Sequence, residues 1–151
     1  MTHKPSNRLL KPVHDFVSRP GFIRCLAAVI YDLFLVVALW FVATALILPF
    51  NAGHAFNSRQ FFYPVYLLTV SFLFHGWFWT HGGQTLGQKA WKIKVLTFDY
   101  KPINWLQALL RFSAAIVSWS VFGLGFLWML VDKDKQTWHD YLSKTKLFVT
   151  E

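Results

Sequence analysis

Two arginines and two aspartates stand in or beside stretches otherwise fit for oil. Arg24 and Asp32 lie in IRCLAAVIYDLFLVVALW, Arg111 lies in the run from Trp105 to Val131, and Asp140 follows shortly after. An ionised carboxylate taken out of water is costly unless it is paired, hydrogen-bonded or protonated. Arg24 sits near the start of its run, where a long side chain can reach the membrane surface. Asp32 is eight residues further along, roughly 12 Å deeper on a helix, and has no such escape. Its position allows two chemistries. One is a structural ion pair clamping helices together; the other is a titrating site for a coupling proton or cation, a common use of intramembrane carboxylates. Matched by depth, Asp32 is expected to pair with Arg111, with His75 near enough to share a hydrogen bond.

Other chemistries find little support. His75 and His81 are six apart, on different helix faces, with no cysteine or carboxylate at ligand spacing, so no metal site is expected. The stretch GGQTLGQK, residues 82–89, fails as a phosphate loop. Its lysine comes one place late, no Ser or Thr follows, and the preceding segment reads as a helix rather than a strand. It reads as a tight turn. No Ser/His/Asp set is signalled, so neither an enzyme nor a cofactor is expected. Cys25 is the single cysteine, which rules out an internal disulfide and leaves it a small packing residue.

The elements that position these residues are written in oil. Of 151 residues, 55% are hydrophobic and 19% aromatic, too apolar for a soluble domain of this size. Three stretches each reach the roughly 20 residues needed to cross a bilayer: about Phe22 to Leu48, Phe61 to Trp79, and Trp105 to Val131. Ala43-Thr44-Ala45 looks like a signal cleavage site, but the oily run continues past it and the preceding region is too long, so helix one is expected to stay. Lysines and arginines cluster in the first tail, in the 81–104 loop and in the last tail, while the 49–60 loop has only Arg59. By the positive-inside rule the first tail and the 81–104 loop are cytoplasmic. Lys92 to Phe98 and Lys146 to Thr150 read as short strands, which need each other for stability and therefore one side of the membrane. The third stretch is accordingly expected to turn back on itself through Ser118–Ser120 or Gly123-Leu124-Gly125. Trp77, Trp79, Trp105 and Trp138 fit an interfacial belt.

The expected fold is an all-α membrane protein. It is a small multi-pass helical bundle with two clear transmembrane helices, a long third segment that is broken or hairpin-like, and a short cytoplasmic β-pair. Residues 1–20 form a cytoplasmic tail and 21–151 the membrane domain. The net charge of +8 lies beside the oily runs, which favours the lipid bilayer and anionic lipid at its cytoplasmic face over nucleic acid. So few helices make a thin conduit, so a homo-oligomer or a membrane protein partner is expected.

These residues resemble a known family pattern. Arg24, Asp32 and Asp140 look like the arginine and two aspartates that name the RDD family of membrane proteins. Gly83, Thr85 and Gly87 are similar to that family's Gly-x-Thr-x-Gly segment, and Arg111 stands where the family often has an arginine. The resemblance runs from about Pro20 to Val149. Gln88 departs from a usually basic position, and Ser143-Lys144 replaces the small Ala-Gly pair that commonly precedes the threonine. The resemblance implies a small integral membrane protein of the cell inner membrane, associated with transport, some relatives being linked to cation–proton exchange. The expectation is therefore a transport-related protein with Asp32 as a titratable site. The alternative is a non-transporting scaffold or accessory subunit in which Arg24, Asp32, Arg111 and Asp140 serve packing; on either reading a cytoplasmic last tail is expected to bring Asp140 near Arg24, tying it to helix one.

Overall fold

The computed structural model describes residues 18–51 and 61–150. Lys4, Arg8, Lys11 and Arg59, on which part of the charge argument rests, lie outside them.

The first stretch is helix α1, Phe22–Ile47, running into a 3-10 turn over Leu48–Asn51 that contains Pro49. Its buried positions are Cys25, Ala28, Asp32, Val36 and Ala43. These recur at spacings of three, four and seven, a single narrow stripe on a 3.6-residue helix. Around the rest of the circumference Ile23, Phe34, Phe41 and Leu46 are exposed. A water-soluble protein rarely presents so broad an apolar surface. With α1 and the 3-10 turn together, Phe22–Phe50 is, among the described residues, the one unbroken helix long and apolar enough to cross a membrane, where two clear crossings were expected.

Helix α2, Phe62–His81, buries only Ser71, Gly76 and Trp79. The chain then turns sharply at Gly82-Gly83, and Thr85 caps the five-residue helix α3, Leu86–Ala90. Strand β1, Ile93–Thr97, follows, and then helix α4, Trp105–Ser120, opened by a capping box between Asn104 and Gln107. Helix α4 buries Ala108, Arg111, Ala114 and Ser118, again one stripe at spacings of three and four.

The third oily stretch is broken. After Ser120 the backbone enters left-handed conformations at Phe122 and Gly123 (φ 57° and 72°). The short helix α5, Leu124–Leu127, and the 3-10 turn Trp128–Leu130 then leave at 106° to α4. The break spans residues 121–123 and so reaches Gly123, the start of the second site the sequence offered for it. Helix α6, Trp138–Ser143, and strand β2, Thr145–Val149, complete the chain.

The strands pair antiparallel, with Ile93 opposite Val149, Val95 opposite Leu147 and Thr97 opposite Thr145. Two strands alone are marginal, and these are held by helices. Ile93 packs with Cys25, Ala28 and Met129, while Val95 packs with Trp79, Ile103 and Ala108; Leu147 touches both groups. The Val149 amide also donates to the Ser18 carbonyl at 3.0 Å, beside the start of α1. The apolar core therefore lies where sheet meets helix ends. Cys25 is a packing residue within it.

Candidate functional site

Asp32 is 7% exposed, and its company comes from the α2–β1 connection. The Thr85 hydroxyl donates to Asp32 Oδ2, and the Gly87 amide donates to Oδ1 at 2.8 Å. The local sequence explains this arrangement. Thr85 is the N-cap of α3, accepting from the Gln88 amide at 3.2 Å, while the Gln88 side chain accepts from the Thr85 amide at 3.0 Å. That box aims the Thr85 O–H outward at α1. Gly87 is there because α3 presses against α1: a Cβ would collide with the Ala28 carbonyl oxygen and come within 2.8 Å of the Asp32 carboxyl. Gly83 serves a different contact. Its φ is +70°, a Cβ would lie 2.9 Å from the Val95 carbonyl oxygen, and its own carbonyl accepts from the Val95 amide at 2.6 Å.

The expected Asp32–Arg111 pair does not form. Arg111, 2% exposed, instead bonds Asp140 Oδ1 through Nη1, and the same nitrogen donates to Thr145 Oγ1 at 2.8 Å. Asp140 takes its remaining bonds from Thr137, amide at 3.0 Å and hydroxyl at 2.7 Å, both on Oδ2. The guanidinium lies over the Trp79 ring, 5.4 Å from its centroid. The expected Asp140–Arg24 contact is replaced by this cluster, and Arg24 stands exposed on α1. Depth matching failed because it treats helices as parallel rods. Asp32 is met by the short helix α3 packed against α1, and Arg111 by α6 and β2.

Burial alone would lift the Asp140 carboxyl. The Arg111 charge, then His139 and the Thr137 bonds, hold it below the usual carboxylate range. Burial and then the Arg111 charge pull the neighbouring His139 from 6.5 down to about 4, so its imidazole is neutral. Trp79, expected in an interfacial belt, is buried between Arg111 and Gln88, to whose Oε1 its indole donates at 3.2 Å. Trp77 is exposed and stacks on His81.

A cavity of about 580 Å³ lies between α1, α2 and α4. Asp32, His75, Arg111 and His139 all line it, among walls that are otherwise mainly aliphatic and aromatic. His75 Nδ1 contacts its own helix, 2.9 Å from the Ser71 carbonyl oxygen. That partner can only accept, so Nδ1 carries a proton, and Nε2 is the ring nitrogen left for other contacts. Beyond His75 the Trp40 indole donates to Ser71 Oγ at 2.8 Å, and Thr44 meets Tyr63 at 2.8 Å. These bonds tie α1 to α2 at the end away from Asp32. Among the described residues no group of three or more His, Cys, Asp or Glu could hold a metal.

Sequence reading missed Thr137, Thr145, Ser118 and His139. Thr137 carried a signal: Thr-x-x-Asp is the spacing of a capping box, and Asp140 is indeed its third helical residue. The others are met only through the tertiary fold.

No curated protein and no solved structure matches this chain. A family model does, that of the RDD family, over residues 19–144. With Asp32, Arg111 and Asp140 buried inside the matched span and an apolar helix clothing them, the chain belongs to the RDD family and is an integral membrane protein.

Proposed function

We propose that this protein acts in membrane transport through the cavity shared by Asp32, His75 and Arg111, with Asp32 as its proton-accepting element. The observation that carries the reading is the lining itself. A carboxyl group and an imidazole line one space, on helices that are otherwise oily. In membrane segments such groups mark proton relays and substrate paths.

The Asp32 contacts supply a mechanism. As a carboxylate it accepts from both Thr85 and Gly87. Protonation turns one oxygen into a donor, so the Thr85 hydroxyl must reverse or let go. Where it lets go, the α1–α3 clasp loosens beside Gln88, another residue of the cavity wall. Proton binding and cavity access become one event.

The accompanying topology has α1 and α2 crossing an inner membrane and the α4–α5 stretch re-entering on the side it left. Supporting it, paired β1 and β2 require one compartment, and the 106° bend allows a return. Lys89, Lys92, Lys94 and Lys146 then share the cytoplasmic face, where they meet anionic lipid. A second copy or another membrane protein completes the conduit.

The test is flux in vesicles of purified protein under an imposed pH gradient, with Asp32→Asn as the diagnostic variant. The amide can accept from Gly87 and donate to a reversed Thr85 hydroxyl, so the variant folds. Its flux is expected to lose pH dependence; unaltered pH dependence refutes Asp32 as the titrating group.

A second reading, a non-transporting scaffold, draws on one observation: both buried acids, Asp32 and Asp140, find their hydrogen-bond partners within the fold. Absence of any flux, together with co-purification of a fixed larger partner, selects it.

A further inference from the structure

The two buried acids do not touch, yet their surroundings are joined. Asp32 is held by Thr85, and Asp140 by Arg111 and Thr137. Two side chains stand between them. Gln88 Oε1 accepts from the Thr85 amide at 3.0 Å and from the Trp79 indole at 3.2 Å. The Trp79 ring in turn lies against the Arg111 guanidinium, 5.4 Å from its centroid. Thr85, Gln88 and Trp79 therefore make a continuous line of contact from the partner of one acid to the partner of the other. Among the described residues no Asp32–Arg111 ion pair bypasses it.

Each link has a reason to pass on a displacement. Thr85 and Gln88 are bound reciprocally, the Gln88 amide donating to the Thr85 hydroxyl and the Thr85 amide to the Gln88 side chain. A shift of Thr85 thus carries the Gln88 carboxamide with it. The indole bond is 3.2 Å long, at the far end of the ordinary N–H···O range, so a small movement breaks it. Trp79 is 6% exposed, and an indole N–H stripped of its acceptor in such a place is costly. The ring follows its acceptor instead. Attraction between ring and cation depends on how they face each other, so a turned ring alters the seat of Arg111, whose Nη1 holds both Asp140 and Thr145.

We propose that Gln88 and Trp79 are positioning residues that carry a change in the Asp32–Thr85 bond to the Arg111–Asp140 pair, so that the two clusters respond as one. The inference rests on Asp32 as the acid whose bonds change; it does not require flux. Residue type matters at its centre. An oxygen acceptor at position 88 serves both donors, whereas a lysine or arginine there has none to offer. The titratable groups facing this line are His75 on α2, with its ring centroid 5.3 Å from that of Trp79, and His139 on α6, beside Asp140. His75 is the rival route, and the experiment separates the two.

The full chain is studied in detergent at one fixed pH, with isotope-labelled arginine, by following the Arg111 Nε–H resonance. That proton feels the ring current of Trp79. Its signal is the one that survives in a chain carrying Arg8→Lys, Arg19→Lys, Arg24→Lys and Arg59→Lys, the other four arginines of the sequence. Asp32→Asn changes the Thr85 bond and is expected to shift the resonance. Gln88→Met removes the acceptor, and Trp79→Phe removes the indole N–H while keeping a ring. In either background the shift caused by Asp32→Asn is expected to shrink severalfold. The two variants cut one bond from opposite ends, so either alone decides if the other fails to fold. In a His75→Gln background the shift is expected to persist. A shift retained in full with Gln88→Met or Trp79→Phe overturns the proposal. So does its loss with His75→Gln, and so does a resonance indifferent to Asp32→Asn. Flux whose pH dependence survives Asp32→Asn refutes the transport reading and leaves the relay standing. An indifferent resonance, beside flux that loses its pH dependence in the same variant, does the reverse.

Discussion

Asp32 and Asp140 are both buried acids, and the fold keeps them by different means. Asp32 is held by neutral donors from Thr85 and Gly87, Asp140 by the Arg111 guanidinium and Thr137. The same substitution should therefore have unequal effects. Asp32→Asn is expected to cost about 1 kcal/mol, the scale of one ordinary hydrogen bond. Asp140→Asn leaves a buried arginine uncompensated and is expected to cost about 3–5 kcal/mol. Thermal unfolding in detergent measures both. Gly87→Ala places a methyl group against backbone and carboxyl and is expected to cost about 1–3 kcal/mol as an overpacked contact. At Lys144 the direction reverses. This residue ends α6 in a left-handed conformation, φ 53°, in the small-residue pair where the family resemblance places glycine. The tight turn survives the departure, at a backbone cost of about 1 kcal/mol. Lys144→Gly is expected to raise the unfolding midpoint.

At the scale of elements, α6 couples the last segment to α4 through a titratable neighbourhood. His139 is held near pKa 4 against an ordinary 6.5. Its unfolded form thus takes up a proton at a pH where the folded form does not. The stability it contributes is complete above pH 6.5 and is lost as pH falls toward 4. Unfolding measured across that window should show the decline, and His139→Gln should flatten it. Asp140, held below its usual range, adds its own loss only in stronger acid. The elements themselves were legible to different degrees. The β-pair could be read because Lys92 to Phe98 alternates and a lone strand cannot stand. The break in the third stretch could be read because its lysine-rich tail was expected on the side of the other lysine-rich segments. The clasps could not, since Thr85 and Thr145 look like ordinary threonines until α3 and β2 carry them to Asp32 and Arg111. Charges in a sequence announce a need for partners. They do not say that a short segment, rather than a neighbouring long helix, will supply them.

For the whole molecule, the proposed re-entry makes a labelling pattern. Cysteines introduced singly at Lys101 and Lys135 should react with a membrane-impermeant reagent from the same side. One at Phe122, at the tip of the bend, should react from neither. Opposite-side labelling of the first two would restore a full third crossing and remove the common compartment on which the strand pairing depends. That pairing also imposes an order on biosynthesis. Val95 and Leu147 are partners across roughly fifty intervening residues, so β1 emerges from the ribosome well before β2 exists. At 5–20 residues per second the wait is on the order of several seconds. For most of that interval Asp140 and Thr145 have not yet been made, so under the proposed re-entry Arg111 meets the bilayer without the groups that later neutralise and bind it. On that topology the nascent chain parks this arginine at the lipid–water boundary, and α4 takes its final depth only after the last strand has been translated.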